Sequence, residues 1–167
     1  LLLYRWYVIH GHARNEEDEK DIKVFFKDYL PKDLALVNGF YEELYLYQAY
    51  CWYAFIRQDF LMYYRYAQKW VDLYKENPFL KTIETGHYIK GMQALLNAHF
   101  DLRNFKAFEK TLKYFEAYEQ TDEAKHHDNF RTHTSIYINS SRINGHLMKG
   151  TYKDGLKLVP DIEKKLN

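Results

Sequence analysis

The chain has a single cysteine, Cys51, among 167 residues, so it can form no internal disulfide and has no Cys-x-x-Cys pair to hold zinc. Reducing surroundings and indifference to redox state both fit, and the expectation is a cytoplasmic protein. Glycine and proline are scarce, at seven and three residues. Short strands joined by tight turns need more of both, so an all-β fold is not expected. No apolar run approaches the ~18–20 residues of a membrane span. Leu1–Leu3 passes at once into Tyr4, Arg5 and Trp6, without the basic opening of a signal peptide. Net charge is nearly absent, with 24 Lys and Arg against 23 Asp and Glu. That balance speaks against a nucleic-acid binder held by phosphates. Neither nucleic acid nor membrane is an expected partner.

What is abundant is apolar and aromatic. Hydrophobic residues make up 47% of the chain, enough for a packed core and too many for a disordered tail. The chain opens at Leu1 inside an apolar stretch and without methionine, which suggests a piece of a longer protein cut within a helix or between repeats. An apolar edge there would let terminal repeats associate as a homodimer.

One pattern recurs along the chain. Asp59-Phe60 is followed by Tyr63, Ala67, Trp70 and Tyr74; Asn104-Phe105 by Phe108, Leu112 and Phe115; Thr151-Tyr152 by Gly155, Val159, Ile162 and Leu166. Counted from the aromatic, these lie at +3, +7, +10 and +14, one face of a helix. The three aromatics are 45 and 47 residues apart. Another step of 45 back reaches Asn15, with Ile22, Phe25 and Tyr29 at +7, +10 and +14 behind the acidic turn Glu16–Glu19. These later helices are the B helices. Upstream of the last three stand longer periodic segments, the A helices, over Asp33–Arg57, Phe79–Leu102 and Glu123–Lys149. Pro31 and Pro78 fall between segments, and Pro160 predicts a kink or early stop inside the last. The expected fold is all-α: an α-solenoid of stacked antiparallel helix hairpins, about four repeats in one domain over 1–31, 32–78, 79–122 and 123–167.

Gln58-Asp59-Phe60 and the run Gly150 to Leu156 resemble the turn between the two helices of tetratricopeptide (TPR) repeats. The period is longer than the ~34 residues of that family, and a HEAT-type array of ~40–47 is the other candidate. Tyr63 and Phe108 stand where the family has a small residue, and Trp70, Phe115 and Ile162 where it has alanine. The resemblance implies a concave groove lined by A helices. Counted back from Phe60, Phe105 and Tyr152, Tyr45, Lys90 and Tyr137 stand at −15, Gln48, Gln93 and Ser140 at −12, and Trp52, Asn97 and Asn144 at −8. Spacings of three, four and seven put them on one helical face. Their amides can donate to and accept from an extended peptide backbone, and Lys90 can meet a carboxylate. The plain alternative is a solvated helix face. Ala49, Ala94 with Ala98, and Ser141 with Gly145 form a neighbouring small-residue face that suits close packing.

The aromatics crowd α-helical segments, with Tyr41 to Phe55 covering every face of one. Burial between neighbouring helices, a sticky recognition surface and, last, base stacking are the readings they allow. His10 and His12, two apart, point to different helix faces; His126 and His133, seven apart, could share one, with His127 and Asp128 beside it, but no His-Glu-x-x-His motif, paired Glu-x-x-His or cysteine cluster supports a metal site; His99 and His146 hold equivalent repeat positions and read as structural. No phosphate loop, nucleophile elbow or acid–base pair stands out. The expected function is a non-enzymatic scaffold, without cofactor or metal, that holds a protein or peptide segment. A peptide-sensing region controlling a further domain and a self-associating structural array are the alternatives.

Overall fold

The structure, a computed structural model, describes residues 2–29, 37 and 39–166. Expectations for Leu1, Pro31 and residues 33–36, and for the side chains of Tyr29 and Leu166, lie outside the described residues. Among the described residues the chain is all-helical, without strands, as the composition required. The helices are α1 (Leu2–His10), α2 (Glu16–Tyr29), α3 (Phe40–Ile56), α4 (Phe60–Glu76), α5 (Leu80–Ile83), α6 (Thr85–Asp101), α7 (Phe105–Glu119), α8 (Asp122–Lys125), α9 (Asp128–Lys149), α10 (Tyr152–Leu156) and α11 (Val159–Leu166). The chain divides into two units, Leu1–Glu76 and Asn77–Asn167.

Each A-to-B reversal is built the same way. Gln58, Arg103 and Gly150 take left-handed φ values of 56°, 55° and 70°. The amide of each donates to a carbonyl three residues back: Phe55, Phe100 and Leu147. The next amide donates to a carbonyl five back, from Asp59 to Ala54, Asn104 to His99 and Thr151 to His146. This is the Schellman closure, which satisfies the last helical carbonyls and turns the chain. Asp59 and Asn104 then cap the following helix, their side-chain oxygens accepting from Met62 N at 3.0 Å and Ala107 N at 3.3 Å. Thr151 instead meets His146 Nδ1 at 2.9 Å, so the last turn is tied to the end of the helix before it.

In the first unit, α3 and α4 bury Leu44, Leu46, Cys51, Tyr53, Ala54 and Ile56 against Tyr63, Ala67, Trp70, Val71, Leu73 and Tyr74. α1 lies along α3, with Tyr4 set edge-on to Trp52 at 5.3 Å. The α1–α2 loop closes the end of α3: Ala13 N donates to Ile56 O at 2.8 Å, and His12 Nδ1 lies 2.9 Å from Phe55 O. Asn15 caps α2 through Asp18 N, and Ile22 and Phe26 are the buried pair. Phe26, stacked on Tyr53 at 3.8 Å, therefore holds the place expected of Phe25, which is half-buried. Ile22 keeps its expected place, whereas the inward aromatic comes one residue later than expected: Phe26 lies eleven residues after the cap Asn15, as Trp70 does after Asp59.

In the second unit α6, α7 and α9 pack on one another. The small-residue face does what its composition allows: Ala94, Ala98 and Ser141 are buried, and a Cβ on Gly145 would lie 3.4 Å from the Phe108 ring. The two A helices described here are not continuous as expected. α5 ends at Ile83, and past Glu84 the Thr85 hydroxyl donates back to Lys81 O at 2.8 Å. α8 ends at Lys125, and His127 is extended with φ −127° before Asp128 starts α9. Asp128-Asn129 favours a helix start over a helix interior, which accounts for that break. The last B helix is broken between Leu156 and Val159, so Pro160 sits in the first turn of α11, where its missing N–H costs nothing.

Left-handed non-glycine residues carry a conformational cost of about 1 kcal/mol, so Gln58→Gly and Arg103→Gly should each hold or raise the urea midpoint, whereas Gly150→Ala should lower stability by about 1 kcal/mol. No atom lies within 4 Å of a Cβ at Gly150, so that loss would be purely backbone strain. His99 is 3% exposed, and burial pushes its pKa below the usual imidazole value. The unfolded chain then binds the extra proton first, so its contribution is complete above about pH 6.5 and is lost as the pH falls below that value. Thermal melts in acid should show a falling Tm, and His99→Leu should flatten that fall.

Candidate ligand groove

The first helices of consecutive hairpins in the second unit, α6 and α9, enclose an open cleft of ≈ 380 Å³ near their N-terminal halves. That volume falls within the usual range for ligand pockets. Ile83, Glu84, Gly86, His87, Ile89 and Lys90 line it from the α5–α6 side. Asn129, Phe130, His133 and Tyr137 line it from α9. Gly86 sets one wall: a Cβ there would come within 3.3 Å of the Phe130 ring. A side chain at that position would require the phenyl ring to give way slightly.

The lining mixes apolar walls with donors and acceptors. Lys90 is exposed and supplies a positive charge. His87 Nε2 lies 4.0 Å from Glu84. Burial lowers the His87 pKa; Glu84 opposes that shift and Lys90 adds to it, so the imidazole is neutral at neutral pH. The Tyr137 hydroxyl is pushed up by burial and stays a protonated donor. Its ring lies 6.0 Å from that of His133, and Phe130 is edge-on to His127 at 5.6 Å. The arrangement can hydrogen-bond a polar ligand while packing an apolar part of it. Among the described residues no group of three His, Cys, Asp or Glu is placed to hold a metal ion.

The structure brings two of the expected groove residues, Lys90 and Tyr137, to this one cleft; each stands fifteen residues before the aromatic that follows its turn, Phe105 and Tyr152. Gln93 and Asn97 continue along α6 and are half-buried; on α9 Ser140 is exposed and Asn144 half-buried. These four do not line the cleft but lie further along the same helical faces, Asn97 about 10 Å beyond Lys90 at a rise of 1.5 Å per residue. In the first unit the equivalent face of α3 is different. Tyr45 is 56% exposed, Gln48 is half-buried, and Trp52 packs into rings of α1, with Tyr7 at 5.8 Å besides Tyr4. Tyr47 is held differently again: its hydroxyl donates to Glu43 at 3.2 Å, and burial with that carboxylate raises its pKa to about 12.

His87, His133, Asn129 and Phe130 were not singled out from sequence as groove residues. A signal existed for them, since Asn129, His133 and Tyr137 recur every four residues and His87 precedes Lys90 by three. His133 had been paired with His126 across seven residues, but the α8–α9 break puts His126 outside the helix that carries His133. His10 ends α1 and His12 lies in the loop after it. Compared with protein-family models, with curated proteins and with solved structures, the chain matches none.

Proposed function

We propose that this chain is a non-catalytic, divergent TPR-like module that holds a protein or peptide segment against the first helices of its hairpins. The observation that carries this reading is the α6–α9 cleft, where Lys90 and Tyr137 from equivalent repeat positions meet. Around it, a segment would find a cation, a tyrosine hydroxyl and apolar walls in Ile83, Ile89 and Phe130. Beyond it, Gln93, Asn97, Ser140 and Asn144 offer amides and a hydroxyl to an extended backbone. The common Schellman geometry of turns spaced 45 and 47 residues apart supports the repeat character of the array. Tyr45, Gln48 and Trp52 are the corresponding residues of the first unit.

The test uses the protein as bait in native lysate beside two variants, Asn97→Ala/Asn144→Ala and Lys90→Ala/Tyr137→Phe. A segment held in the groove should be captured by the unaltered protein, and each variant should bind it at least about tenfold more weakly, which corresponds to about 1.4 kcal/mol. A partner retained in full by both variants would remove the groove from the mechanism.

A further inference from the structure

The outer faces of α2 and α7 carry opposite charges at matching places. Both helices follow a capping asparagine, Asn15 and Asn104, so positions counted from the caps correspond. At +2 and +6, α2 has Glu17 and Asp21 where α7 has Lys106 and Lys110. At +5 and +12 the signs reverse: Lys20 and Lys27 on α2, Glu109 and Glu116 on α7. The acids of α7 are consumed within the second unit, Glu109 by Lys149 and Glu116 by Arg142, each at 2.7 Å. The lysines are not. Lys106, Lys110 and Lys113 are all exposed, and among the described residues none has a carboxylate within 4.0 Å. Glu17, Asp21 and Asp28 of α2 are likewise exposed, with no cation within 4.0 Å among the described residues. Val24, 55% exposed, stands between these acids.

We propose that this basic face of α7 docks on the acidic face of α2 in a second copy of the chain. Charge complementarity selects that occupant. Lys106 with Lys110 and Glu17 with Asp21 share one four-residue spacing, about 6 Å along each helix, so two charge pairs come into register when the helices lie side by side, with Lys113 and Asp28 flanking them. The lysine stems would lie over Val24 while their ammonium groups reach the carboxylates. A nucleic-acid backbone is the poorer fit. Three lysines contact few phosphates, and a chain of net charge +1 exerts little long-range pull on a polyanion. Exposed ion pairs are individually weak and screened by salt, so the contact would be a low-affinity, salt-labile one. It does not depend on the α6–α9 groove.

Sedimentation equilibrium at low and high salt tests it. In low salt the weight-average mass should rise with concentration from 20.4 kDa to at least that of a dimer, and return to 20.4 kDa in high salt. The variants Lys106→Glu/Lys110→Glu/Lys113→Glu and Glu17→Lys/Asp21→Lys/Asp28→Lys should each stay monomeric in low salt, with helical circular dichroism unchanged. Mixed in equal amounts they should associate again, because each then meets the opposite face of the other. A protein that is monomeric in low salt overturns the proposal. So does association that either variant retains in full, or low-salt variants that fail to recombine. A monomeric protein whose α7 lysines bind a DNA oligonucleotide would assign the face to nucleic acid instead.

Discussion

The left-handed residue at each A-to-B turn is the constraint on which the architecture depends. One backbone torsion at Gln58, Arg103 and Gly150 sends the chain back along itself and closes two carbonyls of the outgoing helix at once. The residue after it becomes the cap, or the cap position, of the next helix. Because the turn fixes where the B helix starts, it also fixes which B-helix residues reach the core. Phe108 and Phe115 lie four and eleven residues after Asn104, and Tyr63 and Trp70 lie four and eleven after Asp59; all four are buried. Two of the three left-handed positions are not glycine. Packing of the flanking helices over-determines the turn, and the sequence tolerates a small strain there.

The helix class, the small-residue packing face and the break near Pro160 were legible because each rests on local spacing or on one residue's covalent geometry. The B helices were legible from their inward aromatics. The breaks at Glu84 and His126–His127 were not, because apolar periodicity runs through them. What interrupts the helix is local competition, a Thr85 hydroxyl bonding back to Lys81 O in one case and an Asp-Asn start in the other. The shift from Phe25 to Phe26 has a similar origin. Glu16 lacks the aromatic marker that Phe60 and Phe105 provide, so only the cap at Asn15 reveals the register.

The candidate groove was half legible. Counting back from the turns found Lys90 and Tyr137, which do share a cleft, because equivalent positions on neighbouring A helices face the same space. It did not find Gly86 and Phe130, whose contribution is steric and depends on how closely α6 and α9 approach. His87 and His133 carry no signal of their own in the sequence, because a histidine on one helix marks a cleft only when the facing helix is known. A face seen from one helix is a list of residues; a cleft needs the second helix and its offset.

The division of the chain has a consequence for how its unfolding is watched. Trp6, Trp52, Trp70 and Cys51 all belong to the Leu1–Glu76 unit. Tryptophan fluorescence and thiol labelling are therefore local gauges of that unit, while far-ultraviolet ellipticity sums the helices of both. Cys51 is 4% exposed and its thiol is pushed to high pKa by burial, so a labelling reagent meets a reactive thiolate only when α3 and α4 separate. Coincident fluorescence and ellipticity transitions would mean that the two units melt as one cooperative body; a lag in ellipticity would isolate the stability of the unit that carries the cleft.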